Sequence, residues 1–400
     1  MSRRSRGASG SWRSVAAVAG WQTAASLCYY SIFAATGFVR EAFDLSATLV
    51  GVFLTAALLG YTVALFPSGA AVDALGEKRV MVAGLVALSV AALCVSVAPS
   101  YALLLLAGTL LGSAYSTAMP GSNRGIVASA PAGRENLAMG VKQVGVTAGS
   151  GAASLVVTGV AAVAAWQAGF WVVAALAGGY ALGFVALYDG TEGSGRLAWP
   201  DLSGLGANRP YVLLVVAGLF VGATIFTTLG YVVLYVEDVV GGSVAAGGVV
   251  LALAQVTGSV GRVAAGGLAD RLGGARGAAT VALVQVGVAA GLFVLLARGT
   301  ASLAVASLLF AGVGVSVLGS TGVFYSCLSD LVRAEDIGAA TAGGQTAINV
   351  GGLAAPPLFG LLADGVGYAA GWWLLAGCSV AATLLLVAVR RDLRGPGTRV

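Results

Sequence analysis

Gly69-Ala-Ala-Val-Asp73-Ala-Leu-Gly76-Glu-Lys78-Arg79 stands between two long apolar runs, and its pattern returns at Gly266-Gly-Leu-Ala-Asp270-Arg-Leu-Gly273-Gly-Ala-Arg276. In each copy a glycine is followed four residues on by aspartate, three further by a second glycine, and then by a base. Gly69 and Gly266, Asp73 and Asp270, and Gly76 and Gly273 are each 197 residues apart, about half of the 400-residue chain. One offset held at three positions marks the halves as repeats. Ser46 and Ser243 keep the same offset, whereas Gln143 and Gln345, Gly149 and Gly351, and Phe170-Trp171 and Trp372-Trp373 keep 202. A five-residue insertion in the second half reconciles the two offsets.

The chain is 58% hydrophobic and 9% charged, with a mean hydropathy of +0.94. Soluble domains carry roughly 25% charged residues, so the solvent of most of this sequence is lipid. Its 61 glycines suit transmembrane helices whose backbones approach closely. The net charge of +5 reads as membrane topology rather than as a nucleic-acid surface. Cys28, Cys94, Cys327 and Cys378 lie singly inside apolar runs and histidine is absent. Neither a disulfide framework nor a metal site is expected, and no cofactor.

A membrane span needs about 20 residues. Runs bounded by charges or turn clusters fall at 14–39, 45–72, 80–98, 101–123, 137–160, 168–187, 211–236, 244–268, 278–297, 303–328, 337–363 and 368–389, which predicts twelve helices. Arg3, Arg4, Arg6 and Arg13 precede the first run, which is too long and too polar for a cleaved leader and reads as a retained helix. With the N-terminus inside, sixteen of the 21 bases fall in cytoplasmic segments, and Arg40 and Arg298 alone in outer loops. The excess of bases on one side predicts that both termini and both Gly-Asp-Gly loops are cytoplasmic. Asp189 to Arg209, polar and glycine-rich and including Arg196, Pro200 and Asp201, reads as a linker. The expected organisation is a first bundle over 1–190, a linker over 191–209 and a second bundle over 210–400.

G-x-x-x-D-x-x-G with trailing bases, placed after the second helix of a six-helix half and repeated after the eighth, resembles the loop signature of the major facilitator superfamily. The resemblance implies an all-α polytopic membrane protein, two pseudo-symmetric six-helix bundles, and a multi-pass carrier of the cell membrane working as a monomer on a small-molecule substrate. It also implies that Gly69, Asp73, Gly76 and Arg79, with Gly266, Asp270 and Gly273, form a cytoplasmic gate that latches the bundles when the carrier faces outward. Chemically, the glycines permit tight turns, the aspartates can cap helix ends and the bases can pair with carboxylates or carbonyls. Arg124, one or two turns from the loop at Pro131, reads as a further gate residue.

Arg262 lies eight residues before Asp270, about 12 Å deeper along a helix, near the middle of a bilayer core about 30 Å thick. Gln255, Gly258, Arg262 and Gly266 share one helix face. A buried arginine is costly, so it must face protein or a watery cavity. Gly-Arg, with glycine four and aspartate eight residues on, is similar to the monocarboxylate and oxalate/formate carriers, in which the matching arginine binds substrate carboxylate. Lys142 lies equally deep in the fifth span and shares a face with Gly145 and Gly149. No aspartate or glutamate stands in the middle of any span: Asp44, Glu237, Asp330 and Asp364 all lie near ends. An anionic substrate could supply the missing counter-charge for Arg262 and Lys142.

Gln345 and Asn349, one turn apart in the eleventh span and followed by Pro356-Pro357, are candidate hydrogen-bonding groups. The lysine that oxalate/formate carriers have in this span is missing, which speaks against a dicarboxylate. Gln22, Ser26, Tyr29 and Tyr30 form a polar stripe in the first span, and Thr224, Thr228, Tyr231 and Tyr235 one in the seventh. The resemblance implies that these two spans line the cavity, with Tyr30 and Tyr231 as ligands. Against drug/proton antiport, the fifth span has no Gly-Pro pair and the fourth no arginine near Gly108. The expected function is secondary transport of a small organic anion such as a monocarboxylate by alternating access, with a proton as the candidate coupling ion. The alternative is a carrier of neutral or cationic compounds. A membrane enzyme would want a nucleophile with its base, or clustered carboxylates and histidines at depth, and the sequence has neither.

Overall fold

The computed structural model describes residues 11–132, 134–195, 204–333 and 336–393. Arg3, Arg4, Arg6, Arg196, Pro200, Asp201, Arg394 and Arg399 lie outside them. The first bundle contains α1 (Trp12–Ala34), α2 (Thr36–Phe43), α3 (Ala47–Leu75), α4 (Glu77–Ser96), α5 (Tyr101–Tyr115), α6 (Ala118–Ser129), α7 (Glu135–Ala161) and α8 (Trp166–Leu187). The second contains α9 (Arg209–Asp238), α10 (Val244–Leu272), α11 (Gly274–Ala297), α12 (Leu303–Val313), α13 (Ser320–Asp330), α14 (Ile337–Gly365) and α15 (Tyr368–Asp392). α5 and α6 together make the fourth span, and α12 and α13, joined by the π-turn Gly314–Leu318, make the tenth.

Eleven helical spans among the described residues are long and apolar enough to cross a membrane. The twelfth is α1, whose Gln22, Thr23, Ser26 and Ser31 make it more polar and which lies largely buried among its neighbours. α1 stops at Ala35 and restarts as α2, a break that the continuous run over 14–39 did not suggest.

The repeat is written into the helix caps. Ser11 caps α1 and Asn208 caps α9, Ser46 caps α3 and Ser243 caps α10, and Ser100 caps α5 and Ser302 caps α12, each side-chain oxygen accepting a backbone N–H. Such caps satisfy donors that the first turn leaves unpaired. The first two pairs keep the offset of 197 and the third keeps 202, so the insertion lies between Ser243 and Ser302. It is located by length: α11 has 24 residues where α4 has 20, and the following loop has one more. Gly76 (φ +85°) and Gly273 (φ +79°) both hold left-handed backbone between consecutive helices, which explains glycine at that place in each copy.

In both bundles one matching pair of helices packs with its backbones in contact. A methyl on Gly149 would lie 2.2 Å from the Thr23 carbonyl oxygen, and one on Gly351 would lie 1.7 Å from that of Leu219. α7 therefore touches α1, and α14 touches α9, backbone to backbone. Between the bundles α3 meets α14 and α7 meets α10.

The face carrying Asp73, Arg124 and Asp270 is called the basic face and its opposite the far face. At the far face, Asp364 accepts from the Ala47 N–H (2.9 Å), the Thr48 N–H (2.8 Å) and the Thr48 hydroxyl (2.6 Å). Arg40 pairs with Asp238, which also accepts from the Tyr368 hydroxyl. Further in, the Thr55 hydroxyl donates to the Leu353 carbonyl, Gln255 Nε2 to Ser150 O and Ser154 Oγ, and Ser259 to Thr147. Among the described residues, the hydrogen bonds between bundles run from this last level to the far face.

Candidate functional site

On the basic-face side of those contacts lies a cavity of about 170 Å³ between the bundles. Among its lining residues Arg262 is the one charged side chain, and no carboxylate lines it. Gln255, Gly258, Ser259 and Arg262 come from one face of α10, as their spacing predicts. Arg262 Nη2 donates to the Leu318 carbonyl at 3.3 Å, while its Nε has no partner. Leu318 closes the π-turn of the tenth span, a local distortion of the α-helical hydrogen-bond pattern that recurs at functional sites. Gly322 makes room for the arginine stem, because a methyl there would lie 2.7 Å from Arg262 Cγ.

Tyr115 lines the cavity together with Arg262. Tyr30, Gln345 and Tyr325 also line the cavity. Tyr29 stacks on Tyr115 with centroids 4.2 Å apart, and Tyr30 meets Tyr115 edge-on. Gln345 accepts from the Tyr325 hydroxyl at 2.5 Å and donates to Asn349 at 2.8 Å. Asn349 is buried behind Gln345, outside the lining, and orients it rather than facing the cavity.

Two further expected ligands are, like Asn349, placed outside the lining. Lys142 is fully buried within the first bundle, its ammonium donating to Asn123 Oδ1 at 2.9 Å and lying 3.8 Å from Met119 Sδ. Gln143, its neighbour in sequence, takes the cavity position. The Gly145 and Gly149 contacts with α1 fix the rotation of α7, and this rotation carries Lys142 inward with them. Tyr231 is buried toward the far face, where its hydroxyl donates to the carbonyls of Ala47 and Pro356. It fastens α9 to α3 and α14. Ile225, Phe226 and Leu229 line the cavity from α9, in place of the Thr224, Thr228, Tyr231 and Tyr235 stripe.

At the basic face the two Gly-Asp-Gly copies differ. In the first, Arg124 bonds Asp73 at 3.1 Å, Glu77 at 3.2 Å and the carbonyls of Val72 and Glu192. Glu77, fully buried, accepts also from the Tyr188 hydroxyl and from the backbone N–H and hydroxyl of Thr191. Burial, with the Glu77 carboxylate alongside, raises the pKa of the Tyr188 hydroxyl above its ordinary value, so it remains a donor. The chain after α8 is thus laid against the Gly76 turn, with Ser194 N–H bonding the Asp73 carbonyl at 2.7 Å. A methyl on Gly76 would lie 2.3 Å from the Thr191 carbonyl, whereas Gly69 has open space around it. Arg79 is exposed.

In the second copy Asp270 and Gly273 are exposed, Gly266 has open space, and Gly274 occupies the place of Glu77. Glu77 escaped the sequence reading because the repeated pattern leaves its position unspecified. The contrast between Glu77 and Gly274 was the available signal. Tyr61, Tyr115 and Tyr325 were missed because the cavity was sought from Arg262 and Lys142, which lie in other spans.

The sequence profile of the Major Facilitator Superfamily matches residues 18–342, and the chain belongs to this family of membrane transporters. A bacterial homologue of the human lysosomal transporter Spinster, in an inward-facing and occupied conformation, is similar in fold: TM-score 0.73, 16% identity, 94% of each chain covered. A variant of the nucleoside transporter NupG gives a TM-score of 0.78 at 13% identity over 94% of this chain and 99% of that one. No curated protein matches the sequence.

Proposed function

We propose that this transporter is a secondary carrier of a small organic anion, with a monocarboxylate as the substrate class, bound in the central cavity. The observation that carries this reading is Arg262: it is the one charged side chain of the lining, its Nε is unpartnered, and no carboxylate accompanies it. A cation in a low-dielectric cavity attracts an anion strongly and excludes other cations. Gln345, held by Tyr325 and Asn349, and Tyr30 shape the rest of the site. The nucleoside in the name of one structural neighbour is uncharged, and at 13% identity that likeness bears on fold.

In this reading both termini and both Gly-Asp-Gly loops are cytoplasmic, in the cell membrane, and the cavity opens inward below a closed far face. Residues 1–190 and 210–400 rock about it as two bundles, tied by 191–209, within a monomer. With no carboxylate at the site, proton coupling would act at the bundle ends, where Asp238 and Asp364 join the two halves. The test is uptake of labelled organic anions into proteoliposomes. Uptake is expected to be saturable, competed by other monocarboxylates and lost in Arg262→Ala. Normal transport by that variant, or equal competition by neutral compounds, would reject the anion.

A further inference from the structure

We propose that Gln143 is the residue by which the first bundle reads the cargo, and that the cargo is a monoanion bearing a neutral hydrogen-bonding group remote from its carboxylate. The proposal rests on the organic-anion reading and adds the second point of recognition.

Four glutamines line the cavity: Gln22, Gln143, Gln255 and Gln345. Three are engaged by the protein. Gln22 donates to Ser26 and accepts from Ser122, Gln255 donates to Ser150 and Ser154, and Gln345 is held by Tyr325 and Asn349. The Gln143 amide has no partner among the described residues, although the residue is partly buried and faces the cavity. Buried polar groups are ordinarily hydrogen-bonded, and this amide, open to the cavity, is free to bond a ligand there.

The repeat sharpens the point. Gln345 stands 202 residues after Gln143, at the equivalent place in the second bundle, yet is tied to its own bundle on both sides. Among the four glutamines the unengaged amide is therefore on the first bundle, and the guanidinium of Arg262, with its unpartnered Nε, is on the second. Lys142 next door is turned onto Asn123, so a second carboxylate would find no cation near Gln143. An amide donates and accepts, and so matches a hydroxyl, keto or amide group. A ligand spanning both residues joins the two bundles directly, and its contacts would tighten as they close around it.

The test uses the purified full chain and probes with a flat ring, which suit the wall formed by Tyr29, Tyr30, Tyr115 and Phe226. Affinities of benzoate, 3-hydroxybenzoate, 4-hydroxybenzoate and 3-hydroxybenzyl alcohol are measured by calorimetry. At least one hydroxybenzoate is expected to bind about fivefold to tenfold tighter than benzoate, the range of one added hydrogen bond. Gln143→Leu should bring it down to the benzoate level and leave benzoate itself within about twofold. Gln143→Asn, which keeps the amide but shortens it, should retain part of the preference, so loss through misfolding is distinguishable. Equal binding of benzoate and both hydroxybenzoates, a preference that survives in Gln143→Leu, or no binding by any acid would overturn the assignment. If 3-hydroxybenzyl alcohol binds as tightly as 3-hydroxybenzoate, the anion reading fails; loss of the hydroxyl preference alone sinks only the role of Gln143.

Discussion

Asp364, at the end of α14, caps the first turn of α3 in the other bundle, its carboxylate taking both the N–H and the hydroxyl of Thr48. Helix starts carry unpaired N–H groups and a partial positive charge, so the far face is held shut by a cap supplied in trans. Asp364→Asn should weaken that closure by about 1 kcal/mol, roughly a fivefold change in the closed-to-open ratio. The measurement is the distance distribution between spin labels placed on the far-face ends of α3 and α14. An unchanged distribution would mean that the cap is incidental.

The two copies of the Gly-Asp-Gly loop should respond differently to mutation. Arg124→Ala leaves buried Glu77 without its cation and should cost about 2 kcal/mol, a value below the range for wholly buried pairs because Arg124 is 28% exposed. Asp270→Ala removes an exposed side chain and should stay within about 0.5 kcal/mol. Melting temperatures in one detergent compare them directly, and equal losses would contradict the asymmetry.

Replacing the two membrane-embedded cations should separate their roles. Arg262→Gln is expected to reduce anion affinity by about tenfold or more, as loss of a charged contact in a dry site does. Lys142→Gln keeps a donor for Asn123 and should change affinity by less than about threefold. Competition binding with benzoate reads both. A larger effect from Lys142 would return it to the binding site.

Glycines should divide by what lies opposite them. Gly351→Ala drives a methyl onto the Leu219 carbonyl and should cost at least about 2 kcal/mol. Gly151→Ala, in open space on α7, should be neutral or gain up to about 1 kcal/mol. Thermal denaturation of the purified variants decides.

The spans, the repeat and the face of α10 that carries Arg262 were legible because they depend on local periodicity and on charge placed against an apolar background. Even the Ser46 and Ser243 caps stood in the repeat before their role was visible. What was illegible depended on rotation and on partners far along the chain. Lys142 and Gln143 are adjacent, and only the packing of Gly145 and Gly149 on α1 decides which faces the cavity. Tyr231 likewise looked like a cavity residue until its hydroxyl found Ala47 and Pro356. The break at Ala35 and the π-turn at Gly314–Leu318 leave no signature in hydropathy.

The contacts of Gly149 with Thr23 and of Gly351 with Leu219 bear on how a carrier of this shape transmits force. Where main chain rests on main chain there is no side chain to swing aside and little to compress. Each bundle should behave as a stiff lever, so that a change at the central cavity reaches the Asp364 cap with little lost on the way. Motion is then confined to the seams between the levers, where Thr147 and Ser259, and Thr55 and Leu353, can part and meet again.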